Sequence, residues 1–320
     1  MRPVLPTLLP DELLSGYRSR LLGLNGIDAP AMLSNLLVQR FPMLRHWKSE
    51  SLIIIAATAH IKGTSVHQVL AEHSWSVLRV RPEMDRLEPE HNNSTAGATA
   101  FMPLAADRHT RACRECMQED LTAEHFAYWH KSHQLPGLVT CPLHGEPLWM
   151  ANVGGLLPPG PDEVQERIAP FDDGEIKRLI SDRRVHTFVD FLDRISQRGG
   201  RPPHGATVRG LQHQLRNLGK DPSDPSTAAQ LSRIAAEGFG HTWLQCVIGD
   251  IALDEAALAR RIHQVLWRHS GAVAEHAALI ASLIFDTADE ALAAIETAVS
   301  DTKKSAELSS APEEEFGLVV

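Results

Sequence analysis

The sequence predicts a mainly α-helical protein, with helical segments at both ends and a small cysteine-centred module between them. Three observations carry this. Leu, Ile, Val and Ala recur at three-and-four spacing along most of the 320 residues, the period of a helix with one buried face. Three of the four cysteines fall in one window, as Cys113-Arg-Glu-Cys116 and, 24 residues later, Cys141-Pro-Leu-His144. The longest unbroken apolar stretch, residues 52–57, is far short of the roughly 20 residues a membrane span needs. The length allows two or three modest domains.

The first domain, residues 1–100, is expected to be helical. Pro10-Asp11-Glu12 is a helix start with acids in the first turn. Leu13, Leu14, Tyr17, Leu21 and Leu22 then share a face until Gly23 and Asn25-Gly26 stop the run. A second helix holds Met32, Leu33, Leu36, Leu37 and Phe41. A third covers 52–59 and breaks at Lys62-Gly63. Thr64-Ser65 caps a fourth, with Val66, Val69 and Leu70 on one face. Helix, glycine turn, cap and helix give a helix-turn-helix-like outline. No Lys or Arg lies between Thr64 and Ser74, where base readout would want one, so a packing role is expected. Residues 83–100 read as a polar loop.

The cysteine window defines a zinc-finger module over 101–150. Two thiolates two residues apart reach one metal, and Cys141 and His144 supply the other corners of a tetrahedron. Cys113, Cys116, Cys141 and His144 therefore form a closed set for one structural Zn2+, with no position left for substrate. A redox C-x-x-C pair would open a helix after a buried strand, and the lead-in from Arg108 to Ala112 is polar. A disulfide framework is not expected, because residues 1–10 lack a signal-peptide pattern; a reducing, cytoplasmic compartment is expected instead. Cys246 reads as a small buried core residue. His125, His130 and His133 read as surface or core histidines, any of which could replace His144 in a different fold. Glu115 and Glu146 flank the ligands, but hydrolysis needs an open metal position and a general base, so an enzyme is not expected. Phe126, Tyr128, Trp129 and Leu135 supply the module's apolar filling.

Residues 151–175, with Gly154-Gly155 and Pro158-Pro159-Gly160-Pro161, read as a linker. Residues 176–300 read as a helical domain. One long helix is expected through 178–180 and 185–195, ending at Gly199-Gly200. Further helices follow at 211–218, 228–236, 243–248, 255–267 and 273–285, with a last turn or two at 292–299. The acidic tail, 301–320, is expected to be disordered.

The net charge of −9 argues against nucleic-acid binding by bulk electrostatics, but the charge is uneven. Residues 177–220 hold ten Lys and Arg against three acids, and 285–320 hold nine acids against two lysines. Lys177, Arg178, Arg183, Arg184, Arg198 and Arg201 are the candidates for phosphate contact; the alternative is a solvated helix face with Arg–Asp pairs.

Cys113-Arg-Glu-Cys116, Tyr128-Trp129-His130, and Leu138 to Gly145 followed by Leu148 together resemble the TniQ family. The opening from Leu8 to Leu21, closed by Leu24-Asn25-Gly26, is similar to that family's N-terminus. His276 to Phe285 is similar to a helix of the related TnsD proteins. Many members carry a second cysteine pair just after the first closing pair; here Leu148 is followed by Trp149 to Gly155, without cysteine. The resemblance implies a non-enzymatic target-selection adaptor of transposition, working with an AAA+ ATPase regulator and a transposase. It implies docking on target DNA or on a guide-RNA effector complex, and a homodimer in some members. The second expectation is a zinc-containing, sequence-specific DNA-binding transcription regulator.

Overall fold

The structure, a computed structural model, describes residues 3–47, 49–75, 78, 109–152, 157–158, 160–164, 167–169, 171–198, 202–267 and 274–309. The polar loop expected at 83–100 lies outside them, as do Gly199-Gly200, Arg201 and residues 310–320. The described chain is mainly helical, with one two-stranded antiparallel sheet at its centre.

Among the described residues the N-terminal part has four α-helices: α1 (Leu14–Leu24), α2 (Pro30–Arg40), α3 (Glu50–Lys62) and α4 (Val66–His73). Helix α3 is the hub. Every residue from Leu52 to Ala59 is buried, which suits a segment apolar all round rather than on one stripe. Leu14, Leu21, Leu33 and Leu37 of α1 and α2 share its core cluster. Gly63 ends α3 at φ +69°, the left-handed value glycine adopts at no steric cost. The Ser65 hydroxyl then accepts the Gln68 N–H and caps α4. Helix α1 begins later than the Pro10 signal suggests, because Glu12 is used elsewhere. It forms a β-bridge with His130, and its carboxylate binds Arg20.

The central module consists of β1 (His109–Ala112), α5 (Arg114–Ala123) and β2 (Trp149–Asn152), with β1 and β2 in register from His109↔Asn152 to Ala112↔Trp149. The ten residues from Tyr128 to Gly137 hold the molecule together. Leu13 N–H donates to Trp129 O at 2.7 Å and Lys131 N–H to Asp11 O at 2.7 Å, which pins the start of α1. The Trp75 indole donates to Lys131 O at 2.9 Å and Lys131 Nζ to Ala71 O at 2.7 Å, which pins the end of α4. Trp129 is fully buried, and Gly16 of α1 lies so close that an added Cβ would sit 3.0 Å from its Cδ1.

Described residues of the segment expected to be a linker are instead laid against the module. Met150 and Ile168 exchange backbone hydrogen bonds at 2.8 Å, Leu157 is buried, and the Trp129 indole donates to Pro158 O at 3.0 Å. The reason is polar satisfaction: a buried indole N–H needs an acceptor, and this backbone provides one.

The C-terminal part contains α6 (Asp173–Ser181), α7 (Arg183–Gln197), α8 (His204–Asn217), α9 (Pro225–Phe239), α10 (His241–Ile248), α11 (Glu255–Trp267), α12 (Ala274–Ile284) and α13 (Ala288–Ser309). Three sequence expectations need correction. The long helix expected through 178–195 is two helices. Asp182 takes an extended conformation and its carboxylate accepts Arg184 N–H, so it ends α6 and caps α7. The last helix is far longer than a turn or two. It also continues to Ser309, past the tail's expected start at 301, through a stretch rich in Ala, Glu and Lys. The third is the packed linker described above.

Leu135, Val139 and Met150 of the module join the bundle's core, and the closest approach is at Gly137. Gly137 has φ +82°, its carbonyl accepts the Trp243 indole N–H at 3.0 Å, and an added Cβ would lie 2.8 Å from Trp243 Cζ2 and 2.9 Å from the Phe188 ring. Gly137→Ala is expected to cost roughly 3 kcal/mol, from left-handed strain plus overpacking against two buried rings. Thermal unfolding measures the loss, and near-UV circular dichroism of Trp243 reports the displaced interface.

Candidate metal centre

Cys113 is the N-cap of α5, and the N–H groups of Glu115 and Cys116 point at its sulfur. The C-x-x-C pair therefore does open a helix after a short strand, contrary to the reasoning that set a redox pair aside. What separates it from a redox pair is the second knuckle. Cys141 N–H donates to Glu146 O at 2.7 Å, and Gly145, at φ +69°, returns its N–H to Cys141 O at 2.8 Å. Bridges Thr140↔Pro147 and the Leu148 N–H to Val139 O bond close a hairpin around this turn.

The two knuckles bring Cys113, Cys116, Cys141 and His144 together, with their ligand atoms all within 4.8 Å of one another. His144 Nδ1 lies 3.7, 3.3 and 3.6 Å from the sulfurs of Cys113, Cys116 and Cys141, and Cys116 Sγ lies 3.7 Å from Cys141 Sγ. A tetrahedral ion with its thiolate and imidazole bonds at ordinary zinc lengths has S···S edges of ~3.8 Å and S···N edges of ~3.6 Å. The residues present fit such an ion. The three sulfurs are buried, so the set can hold a metal ion shielded from solvent.

The electrostatics point the same way. Burial and the neighbouring Cys141 sulfur push the Cys116 thiol up, and burial also raises Cys113. Burial works against Cys141 as well, but N–H groups of His144 and Leu143 hold it below the ordinary thiol value. Three converging sulfurs cannot all be thiolates unless a cation sits among them. Sequence reasoning missed Glu119, whose carboxylate meets His144 Nε2 at 3.2 Å and fixes which ring nitrogen faces the sulfurs. Its signal was there: Glu119 is three residues after Cys116 on one helix face.

The other histidines divide by position. His125 is exposed, at φ +66°. His130 is buried between Asp120, 3.0 Å from its Nε2, and Asp11, 3.5 Å from its Nδ1. Burial opposes its charge, but the two carboxylates raise it to about 9, so it is an imidazolium clamp between the N-terminal part and the module. His133 is fully buried, and burial with the nearby His130 charge lowers it to about 3. Cys246 lies in the C-terminal core, away from the cluster. Glu115 and Glu146 are exposed, and Glu146 serves the knuckle through its backbone carbonyl.

Of the six basic candidates, Arg201 lies outside the described residues, and four of the other five are engaged within the fold. Arg178 is exposed and donates to the carbonyls of Gly238 and Phe239 at the end of α9. Arg184 pairs with Asp182 at 2.6 Å and lies over the Phe239 ring. Arg183 pairs with Asp286 and Arg198 with Glu296, and Arg194 joins Asp289 at 2.6 Å. Acids around and along α13 thus meet the basic face of α7. Lys177 is exposed. The sequence alternative of Arg–acid pairs describes this face; the partners lie about a hundred residues away in the chain rather than on the same helix.

Fold and site define a helical protein built around a closed Cys3His module. Residues 3–148, which hold the four N-terminal helices and the complete ligand set, match the TniQ family model. This part is similar to the TniQ family, a non-catalytic accessory family of transposition associated with target selection. The matched stretch stops before the TnsD-like residues 276–285. No curated protein matches the chain. No described helix is long and apolar enough to cross a membrane.

Proposed function

We propose that the chain is a target-selection adaptor that links a DNA-bound targeting complex to an AAA+ transposition regulator and its transposase. The observation that carries this reading is the family match over the stretch containing the whole metal cluster. In this reading Cys113, Cys116, Cys141 and His144 hold one Zn2+. The ion supplies no chemistry on a substrate; it fixes the 128–137 segment to which both helical parts attach. A bound complex is favoured over naked DNA because α7 already spends its arginines on Asp286, Asp289 and Glu296. Phosphate arriving there would meet those acids first.

The transcription-regulator reading has less support. The exposed side of α4 presents Gln68 hydrogen-bonded to Glu72, which also pairs with Lys62, and α4 ends against the module. The test uses the purified full-length chain. Co-elution with the AAA+ regulator, and an unshifted random duplex at physiological salt, where the Debye length is ~8 Å, are the expected results. A sequence-specific gel shift by the chain alone, without regulator binding, would replace the adaptor by the regulator of transcription.

A further inference from the structure

His133 lies in a 3-10 turn, Ser132–Gln134, and its side chain is fully buried. Its Nε2 is 3.5 Å from Cys116 Sγ and 3.4 Å from Cys141 Sγ. Its Nδ1 has no hydrogen-bond partner among the described residues. The ring is held from behind by the His130 ring, 4.9 Å away centroid to centroid. The next residue, Gln134, anchors the turn through its amide N–H bonds to Arg111 O and His130 O.

His133 is not a corner of the tetrahedron. His144 Nδ1 reaches all three sulfurs, while the contacts of His133 run to the two that form one edge, Cys116 and Cys141, 3.7 Å apart. The ring therefore approaches that edge from outside. A neutral imidazole carries one N–H. On Nδ1 that proton would be buried without an acceptor, and the Nε2 lone pair would face two sulfurs. On Nε2 it points between both sulfurs and leaves only a bare acceptor unpartnered. Burying an unpaired donor is costly and the second tautomer leaves none, so the second tautomer wins. Three thiolates and one imidazole around a dication leave one net negative charge in a buried site. An N–H aimed at the edge spreads part of it.

We propose that His133 donates its Nε2–H, shared, to the Cys116 and Cys141 thiolates, and so is a positioning residue that sets their geometry and slows loss of the metal. This rests on the reading of the cluster as a zinc site. The test compares full-length wild type, His133→Phe and His133→Gln. Phe keeps an apolar ring without a donor, and Gln restores an amide N–H. Zinc release is followed with a chromogenic chelator, and the thiolate-to-cobalt charge-transfer band is read in Co2+-loaded protein.

His133→Phe is expected to weaken zinc retention about 10–100-fold, to move the charge-transfer band, and to keep the tetrahedral d–d bands. His133→Gln is expected to recover most of both effects. Unchanged retention and an unchanged band in His133→Phe would overturn the assignment. So would loss of the tetrahedral bands in His133→Phe but not in His144→Ala, since that makes His133 the ligand. If His133→Phe does not fold, long-range proton–nitrogen NMR of the wild-type zinc protein decides: the Nε2–H tautomer supports the bond and the Nδ1–H tautomer refutes it. Wild type without stoichiometric metal in the same assay removes the zinc reading itself, and this bond with it.

Discussion

Removing the metal is expected to unfold the central module while the two helical parts keep their helices. Apparent binding energies of structural zinc in isolated finger peptides are on the order of 10–16 kcal/mol, which is comparable to the ~5–15 kcal/mol that holds a whole domain folded. The module's own apolar clusters are small, gathering Leu13, Ala112, Met117, Ala127, Trp129 and Leu157 in one group and the three cysteines with Leu148 in another; beyond these, Leu135, Val139 and Met150 join the C-terminal core. The N-terminal helices and the C-terminal bundle each have an extensive core of their own. Chelation, or Cys116→Ser, should therefore leave most far-ultraviolet helical signal in place. New protease cleavage should open within 109–150, and the Trp129 fluorescence should shift towards that of solvent-exposed indole. Full retention of the melting temperature and of protease resistance in metal-free protein would show that the cluster is not structural.

The second large effect is expected at Arg20. Its guanidinium makes a two-point contact with Glu12, Nε to Oε1 at 2.9 Å and Nη2 to Oε2 at 2.6 Å, and a third bond to Thr7 O at 2.9 Å. It also lies over the rings of Tyr17 and Phe126, 5.4 and 5.0 Å from their centroids. Glu12 is wholly buried, and that burial raises its carboxyl even with the arginine beside it. Arg20→Leu leaves a buried carboxylate unpaired, at a cost of about 3–5 kcal/mol. In a chain of this size that corresponds to a melting temperature lower by on the order of 10 °C. The double substitution Arg20→Leu with Glu12→Leu should recover much of the loss, because no charge is then left stranded. A double variant no better than the single one would mean that the bond to Thr7 and the stacking, not the ion pair, carry the stability.

Much of the helical architecture was legible because its signals are local. The Lys62-Gly63 stop, the Ser65 cap and the helix from Glu255 to Trp267 each follow from neighbours within a few residues. The cluster of Cys113, Cys116, Cys141 and His144, which could hold a metal ion, was legible because cysteine is scarce and the two pairs are short. What escaped the sequence was non-local. The strands are four residues each and owe their existence to pairing across nearly forty residues. Asp182 looks like one more charge on a helix until its carboxylate is seen capping the next turn. Arg183 and Arg198 read as part of a nucleic-acid face because their partners on the acidic segment lie about a hundred residues away. The linker composition was read correctly as glycine and proline, but a buried indole N–H recruited its backbone.

The stretch from Tyr128 to Gly137 touches the start of α1 at one end and the Trp243 indole at the other. The two helical ends are thus mounted on a single short axle. A protein seated on one end and a second protein seated on the other would be held at a fixed angle and spacing, as by a carpenter's square, without either having to sense the other.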